Sequence, residues 1–331
     1  MPARFISCDW GTTHFRLRVA LADSGEIVAQ YRSDEGVGQL AAQSDPAGRE
    51  MRFRTVLEHG LFELQSLLGE PLRSVPIVIS GMASSSIGWH ELPYAFVPSG
   101  LDGSDLIWKE LEPIESVAGT HRVLLISGLR TTTDVMRGEE THALGVYQLP
   151  GARPHAQRSL LILPGTHCKH VHIEAGRIVT FRTFMTGELF EVLGKHSILK
   201  HSLAAGAPNS LEPPPEAIRS LREGVDYAQG LPLSAALFRV RTRGLLDGAQ
   251  DNATFLSGVL IGSELAYLRD PEFDKLPILV CAASRLRRLY AEALDALGLS
   301  ARTTVIQPED AERVSALGQA HFLRHLGLSG G

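Results

Sequence analysis

The chain has 331 residues, a formal net charge of −5 and a hydrophobic content of 44%. That is enough apolar residue to bury a core, which excludes a disordered polymer. The length suits two lobes of about 100–200 residues each, and the mild acidity excludes the basic footprint of a nucleic-acid binder.

The predicted elements open with a strand at 5–8, a turn at 9–13 and a strand at 14–22, where Phe15, Leu17, Val19 and Leu21 alternate with Arg16 and Arg18. A turn at Ser24 and Gly25 leads to a third strand at 27–31, so a meander is expected. Residues 51–68 have helical spacing, 76–80 read as a buried strand ending in the small residues 81–86, 123–127 as another buried strand, and 135–147 as a helix. The polar, Pro-containing stretch 151–157 is the expected boundary, giving lobes at 1–152 and 153–331.

The opening pattern then returns. Strands are expected at 159–163, 168–173 and 178–183, with turns at 164–167 and 175–176. This is the one internal repeat, a structural rhyme at mid-chain. Helices follow at 187–197, 216–227, 233–246 and 253–268, with a Pro-rich loop at 206–215. A strand at 277–281, a helix at 285–297, a short strand at 303–306 and a helix at 311–326 complete the chain, the last helix being free to pack back on the first lobe. No apolar run reaches the ~20 residues of a membrane span, and no secretory segment precedes the first strand. Cys8, Cys168 and Cys281 show neither a disulfide framework nor metal-ligand spacing. They read as reduced, buried thiols of a cytoplasmic protein.

Six short stretches carry chemistry. The turn Asp9-Trp10-Gly11-Thr12-Thr13, with Arg16 behind it, offers backbone N–H groups and hydroxyls that can wrap phosphate oxygens, and its glycine allows close approach. Asp9, ending a buried strand, suits a water-mediated hold on Mg²⁺. Alone, the turn reads equally as a plain hairpin with a turn-forming Asp. Gly165-Thr166-His167, followed by Lys169, repeats the logic. Together the two turns fit a nucleotide, ATP with Mg²⁺, held between two similar lobes.

Asp134, Arg137, Glu139 and Glu140 gather acids and a cation near a helix start. Phosphoryl transfer to an alcohol needs a carboxylate beside the attacking hydroxyl and cations for anionic substrate groups, so Arg137 is expected to pair with a substrate carboxylate. The plain reading is acids favoured by the helix dipole. Thr186-Gly187-Glu188 reads as a helix cap facing an anion or as ordinary capping. Cys281-Ala282-Ala283-Ser284, with Gly258 and Gly262 on an earlier helix, reads as walls for a flat ring or as small residues for tight helix packing. Gly81, Met82, Ser85 and Trp89 sit in a loop suited to a polyhydroxylated acid, or simply flexible.

Taken in order, Asp9-Trp-Gly-Thr-Thr, Gly81-Met82 with Gly88-Trp89, Met136-Arg-Gly-Glu-Glu-Thr141, Pro164-Gly-Thr-His-Cys-Lys169, Phe181-Arg-Thr-Phe-Met-Thr-Gly-Glu-Leu189 and Phe255 to Glu264 resemble the 2-dehydro-3-deoxygalactonokinase family over nearly the whole chain. The resemblance implies an α/β, duplicated ribonuclease-H-like fold of the actin/hexokinase type, with mixed sheets and ATP in a cleft between lobes. It implies phosphorylation of 2-dehydro-3-deoxy-D-galactonate, a sugar acid, on its 6-hydroxyl. It assigns Asp9, Gly11, Thr12 and Thr13 to the first phosphate motif, Gly165, Thr166 and His167 to the second, and Ala282 and Ala283 to the adenosine motif, where related kinases often carry glycines. The general base is Glu139 or Glu140, with Asp134 and Asp9 as rivals. Two other readings stay open: a phosphoanhydride hydrolase of the exopolyphosphatase type, and an actin-like nucleotide-binding regulatory module. A homodimer is the default for a soluble enzyme of this size.

Overall fold

Phe5, Ile6, Cys8 and Trp10 are all buried in β1 (Arg4–Trp10), a strand covered on both faces. The computed structural model describes residues 3–43, 48–116, 119–203, 213–248, 251–282 and 285–328. The loop expected at 206–215 lies mostly outside them, and Ala283 and Ser284 wholly so. The chain forms two compact units. The first is Met1–Gln157 with Ile173–Phe181 and Glu312–Gly331, and the second is Arg158–His172 with Arg182–Ala311.

In the first unit β1 pairs antiparallel with β2 (Phe15–Leu21), which pairs antiparallel with β3 (Ile27–Ser33). The short α1 (Val37–Ala42) and the long α2 (Arg49–Leu68) follow, and then β4 (Ile77–Gly81), parallel to β1. After β5 (Ala95–Phe96) and β6 (Ser99–Gly100) come β7 (Trp108–Ser116) and β8 (Gly119–Ile126). The main sheet has the order β3-β2-β1-β4-β8-β7. Strands β1, β4 and β8 are mutually parallel neighbours, and β7 is an antiparallel edge. This is the ribonuclease-H-like order with one strand added.

A small hairpin, β9 (Leu129–Arg130) and β10 (Val135–Met136), precedes α3 (Glu139–Val146). The helix expected at 135–147 therefore starts four residues later, the first two residues of that span forming β10. Gly138, at φ +111°, breaks the chain direction between β10 and α3.

The second unit contains β11 (Arg158–Leu163), β12 (Cys168–Glu174) and β13 (Arg177–Phe184), the last two running past its boundaries. Helices α4 (Thr186–His196), α5 (Pro215–Ala228), α6 (Leu233–Leu246) and α7 (Asn252–Leu265) follow, and then β14 (Ile278–Val280), α8 (Leu286–Ala296) and β15 (Thr303–Val305). The strand order β15-β14-β11-β12-β13 repeats that of the first unit, with β11, β14 and β15 parallel.

The last helix, α9 (Pro308–His325), belongs to the first unit from Glu312 onward. The Gln319 side-chain amide donates to the Cys8 carbonyl and the Ser80 hydroxyl, both at 2.9 Å. A β-carbon on Gly318 would stand 2.0 Å from the Thr141 carbonyl oxygen, so α9 and α3 touch backbone to backbone. All three cysteines are free and buried. Among the described residues no helix is long and apolar enough to cross a membrane.

Candidate active site

In the first unit, chemistry collects where β1 and β4 end. Their register sets Asp9 beside Ser80 and Trp10 beside Gly81. Trp10 is the anchor: it is fully buried, its ring lies 4.5 Å from Phe15 and 4.8 Å from Phe53, and its N–H donates to the Glu35 carbonyl at 2.9 Å. Packing of this kind, with the ring's one polar atom satisfied, fixes the strand end on which Asp9 sits.

Asp9 Oδ2 accepts a hydrogen bond from Arg16 Nη1 at 2.9 Å, across the β1–β2 pair. Burial pushes the Asp9 carboxyl up. The charges of His142, Arg16 and Arg18, with the Arg16 hydrogen bond, outweigh it and hold the group below the usual carboxylate range. The turn that follows is closed by Gly11 N donating to His14 O at 2.9 Å. The start of α1 backs it, with Val37 N donating to Gly11 O and Gly38 N to Thr12 O. Thr12 and Thr13 are exposed.

The start of α3 lies over the same strand ends. Glu140 is fully buried and both of its oxygens accept the Gly138 N–H, at 2.9 and 2.7 Å. Burial first, and the neighbouring Glu139 second, push its carboxyl up to about 8. Glu139 is half-buried and its Oε2 accepts the Arg137 N–H at 2.9 Å. Asp134 lies apart from them in sequence and role: its Oδ1 accepts Val135 N at 2.7 Å in the β9–β10 turn, not on the helix.

Two expected substrate contacts have partners within the first unit. Arg137 Nη1 donates to both the carbonyl and the hydroxyl of Ser84 at 2.6 Å, Nη2 donates to Leu92 O at 3.3 Å, and the guanidinium lies 4.0 Å over the Tyr94 ring. Its two terminal nitrogens tie β10 to the 84–94 loop. Trp89 is 7% exposed and stacked at 6.0 Å on Phe53, so it belongs to the core and not to the loop surface. The loop itself is held by its own backbone: Trp89 N donates to Ala83 O at 2.7 Å and Leu92 N to Ser84 O at 3.0 Å. Ser85 is buried with its hydroxyl on Met82 O, and Met82 packs against the core.

In the second unit, Gly165, Thr166 and His167 form the β11–β12 turn, with Thr166 and His167 exposed. Lys169 is 4% exposed, its ammonium 3.5 Å from the His167 carbonyl. The start of α4 docks on this turn. A β-carbon on Gly187 would stand 2.5 Å from Gly165 O, Glu188 N donates to Thr166 O at 3.0 Å, and Glu188 Oε2 lies 2.5 Å from His167 Nε2. Gly187 and Glu188 are thus partners of the β11–β12 turn.

Beside the turn is a cavity of about 270 Å³. Ser257, Leu260 and Ile261 of α7, Leu286 and Leu289 of α8, and Phe190 of α4 supply much of its wall. Gly258 and Gly262 do not line it. A β-carbon on Gly258 would stand 2.1 Å from Leu221 O and one on Gly262 2.8 Å from Val225 Cα, so both glycines face α5 at a close helix crossing. Ala282 is buried at the end of the sheet. The helix that carries Gly258 and Gly262 was expected as a wall and its Leu260 and Ile261 do line the cavity, whereas Phe190 is an ordinary apolar position until the helices are paired.

A ribonuclease-H-like order in both units, each opened by a strand that ends in a Gly–Thr turn, defines an actin/hexokinase-type phosphotransferase fold. The sequence profile of the family described as 2-keto-3-deoxy-galactonokinase matches residues 9–319, and this chain belongs to that family. It is 34% identical to the 2-dehydro-3-deoxygalactonokinase of Escherichia coli (strain K12) over 304 residues, 90% of this chain and 91% of that one. It is likewise 34% identical to the probable 2-dehydro-3-deoxygalactonokinase DgoK1 of Rhizobium meliloti (strain 1021) over 308 residues, again 90% of this chain and 91% of that one. A crystal structure of a candidate 2-dehydro-3-deoxygalactonokinase from Sinorhizobium meliloti superposes with a TM-score of 0.71 at 30% identity, covering 97% of this chain and 99% of that one. The protein is a kinase, and membership of this family implies ATP as phosphoryl donor.

Proposed function

We propose that this kinase transfers the γ-phosphoryl group of ATP to the 6-hydroxyl of 2-dehydro-3-deoxy-D-galactonate, yielding the 6-phosphate and ADP in galactonate catabolism. The observation that carries the reading is the family match across residues 9–319, which takes in every motif described above.

Within the second unit, the Gly165–Thr166–His167 turn takes phosphate oxygens and the neighbouring cavity takes the adenine ring, its wall being largely apolar with a few polar edges. Within the first unit, the exposed Thr12 and Thr13 turn takes phosphate as well. The donor chemistry at Asp9 fits Mg²⁺: an ionised carboxylate with one oxygen steadied by Arg16 suits an ion that takes one or two carboxylates beside phosphates and water. When bound, the ion supplies charge neutralisation at the phosphates.

Glu139 is the carboxylate that receives the hydroxyl proton. Glu140 is fully buried with its carboxyl pushed up to about 8 and Asp9 is paired with Arg16, whereas Glu139, whose Oε2 accepts the Arg137 N–H, is half-buried at the head of α3. The test is ADP release with Mg-ATP, with and without 2-dehydro-3-deoxy-D-galactonate, the gluconate epimer serving as control. Galactonate-dependent turnover is expected. ATP hydrolysis indifferent to either sugar acid would overturn the reading in favour of a phosphoanhydride hydrolase.

A further inference from the structure

Glu264, at the end of α7, is a carboxylate that the scheme above leaves unused. It is 3% exposed. His170 Nε2 lies 2.7 Å from its Oε1. Its Oε2 accepts the Tyr290 hydroxyl at 2.8 Å and also the Thr186 hydroxyl. His170 Nδ1 in turn lies 2.7 Å from the Tyr267 hydroxyl.

Two arms run from that one oxygen to the same turn. The first passes through Thr186 into the start of α4, where Gly187 abuts Gly165 O and Glu188 N donates to Thr166 O at 3.0 Å. The second passes through the Tyr290 hydroxyl to Cys168 Sγ at 2.8 Å, and Cys168 Sγ lies 3.5 Å from Gly165 N and 3.4 Å from Gly165 O. Both flanks of the 165–168 turn are therefore tied to Glu264. Tyr290, Thr186 and Cys168 also line the cavity beside the turn. A buried polar cluster is an uneconomical way to gain stability, because well-packed apolar residues of similar volume often stabilise as much or more. What a satisfied cluster does supply is a single rigid arrangement.

We propose that Glu264 is a positioning residue for phosphoryl transfer, its Oε2 setting the shape of the Gly165–Cys168 turn through Thr186 and Tyr290. The proposal rests on that turn holding ATP phosphates. The experiment is steady-state kinetics with each substrate varied in turn, together with thermal melts, on Glu264→Gln, Thr186→Val, Tyr290→Phe and Gly165→Ala.

Glu264→Gln should lower kcat/KM for ATP about tenfold or more, as a misplaced contact does, and leave the sugar-acid KM within about twofold. In the Thr186→Val background, Glu264→Gln should add much less than it does alone, since one arm is already cut. A purely structural Glu264 would lower the melting temperature and leave the ATP parameters of the folded enzyme unchanged; that result, or effects that simply multiply in the double variant, overturns the proposal. Should Glu264→Gln fail to fold, Thr186→Val and Tyr290→Phe carry the same readout, and unchanged ATP kinetics in both overturns it too. Gly165→Ala separates the two levels. Its β-carbon would have 3.9 Å to the nearest atom, His167 O, so the turn tolerates it. Unchanged ATP kinetics there would sink the phosphate reading itself. A Gly165→Ala defect with a silent Glu264→Gln would sink the positioning role alone.

Discussion

Gly81 and Gly138 meet backbone to backbone at the head of the first unit's sheet: a β-carbon on Gly138 would stand 3.3 Å from the Cα of Gly81, and the two hold φ of +95° and +111°. Side chains rarely adopt such angles. Gly138→Ala should therefore cost about 1–3 kcal/mol and shift the head of α3 enough to depress turnover. Gly151→Ala, where a β-carbon would meet nothing within 4 Å, is the matched control and should leave both melting temperature and rate alone.

Glu140 gives the protein a pH signature. A carboxyl whose pKa rises on folding from 4.5 to about 8 binds its proton more tightly in the native chain. Its contribution to stability is full below the unfolded value and is lost as pH climbs through the folded one. Glu140→Gln keeps an acceptor for Gly138 N and removes the titration. The melting temperature of the wild type, measured against that of Glu140→Gln, should fall steadily from about pH 5 to about pH 9. A constant difference across that range would show that Glu140 does not titrate there.

Glu139→Gln should lower kcat by about 10²-fold or more while changing the KM of neither substrate by more than about twofold. A near-normal kcat would move the base role to another carboxylate, and Asp9→Asn is the next variant to measure.

Arg137→Lys keeps the charge but loses the planar fork on Ser84 and the stacking on Tyr94. Hydrogen bonds from a charged donor are worth about 1.5–3 kcal/mol, so the melting temperature should drop by several degrees. An unchanged melting temperature with a raised sugar-acid KM would assign Arg137 to the substrate.

The cavity and the α5–α7 crossing separate cleanly by mutation. Leu286→Trp fills the cavity from a half-buried position on α8 and should raise the KM for ATP about tenfold or more, leaving stability nearly unchanged. Gly258→Ala forces a methyl against Leu221 O and should destabilise or prevent folding, with no selective effect on nucleotide in whatever enzyme folds.

Much of this architecture is written locally. The alternation of Phe15, Leu17 and Val19 marks β2, and the periodic Phe53, Val56, Leu57, Leu61 and Leu64 mark the buried face of α2. The echo of β1–β3 in β11–β13 is visible because buried meanders carry the same pattern wherever they occur. By contrast, β7 is exposed along most of its length as an edge strand, so no apolar period announces it. The start of α3 was misplaced because Met136 falls at helical spacing and the φ of Gly138 leaves no trace in polarity. At the site, Asp9 and the two Gly–Thr turns were legible because such turns are local. The hydrogen bond of Arg137 to Ser84 was not, since the two lie 53 residues apart. The same holds for Glu264, whose neighbours are spread from Cys168 to Tyr290. The four-residue spacing of Gly258 and Gly262 puts both on one helix face, and only the position of α5 decides what that face meets.

The place of Gln319 bears on how the polypeptide is born. Its amide is the inner partner of the Cys8 carbonyl and the Ser80 hydroxyl, so these groups wait for a side chain made 311 and 239 residues later. On a ribosome, the first unit cannot finish its core until α9 has been made, whereas every residue of the second unit has been added by Ala311. The usual rule that the amino-terminal portion matures first is thus inverted. During that interval the nascent first unit is the part most in need of shelter from its neighbours.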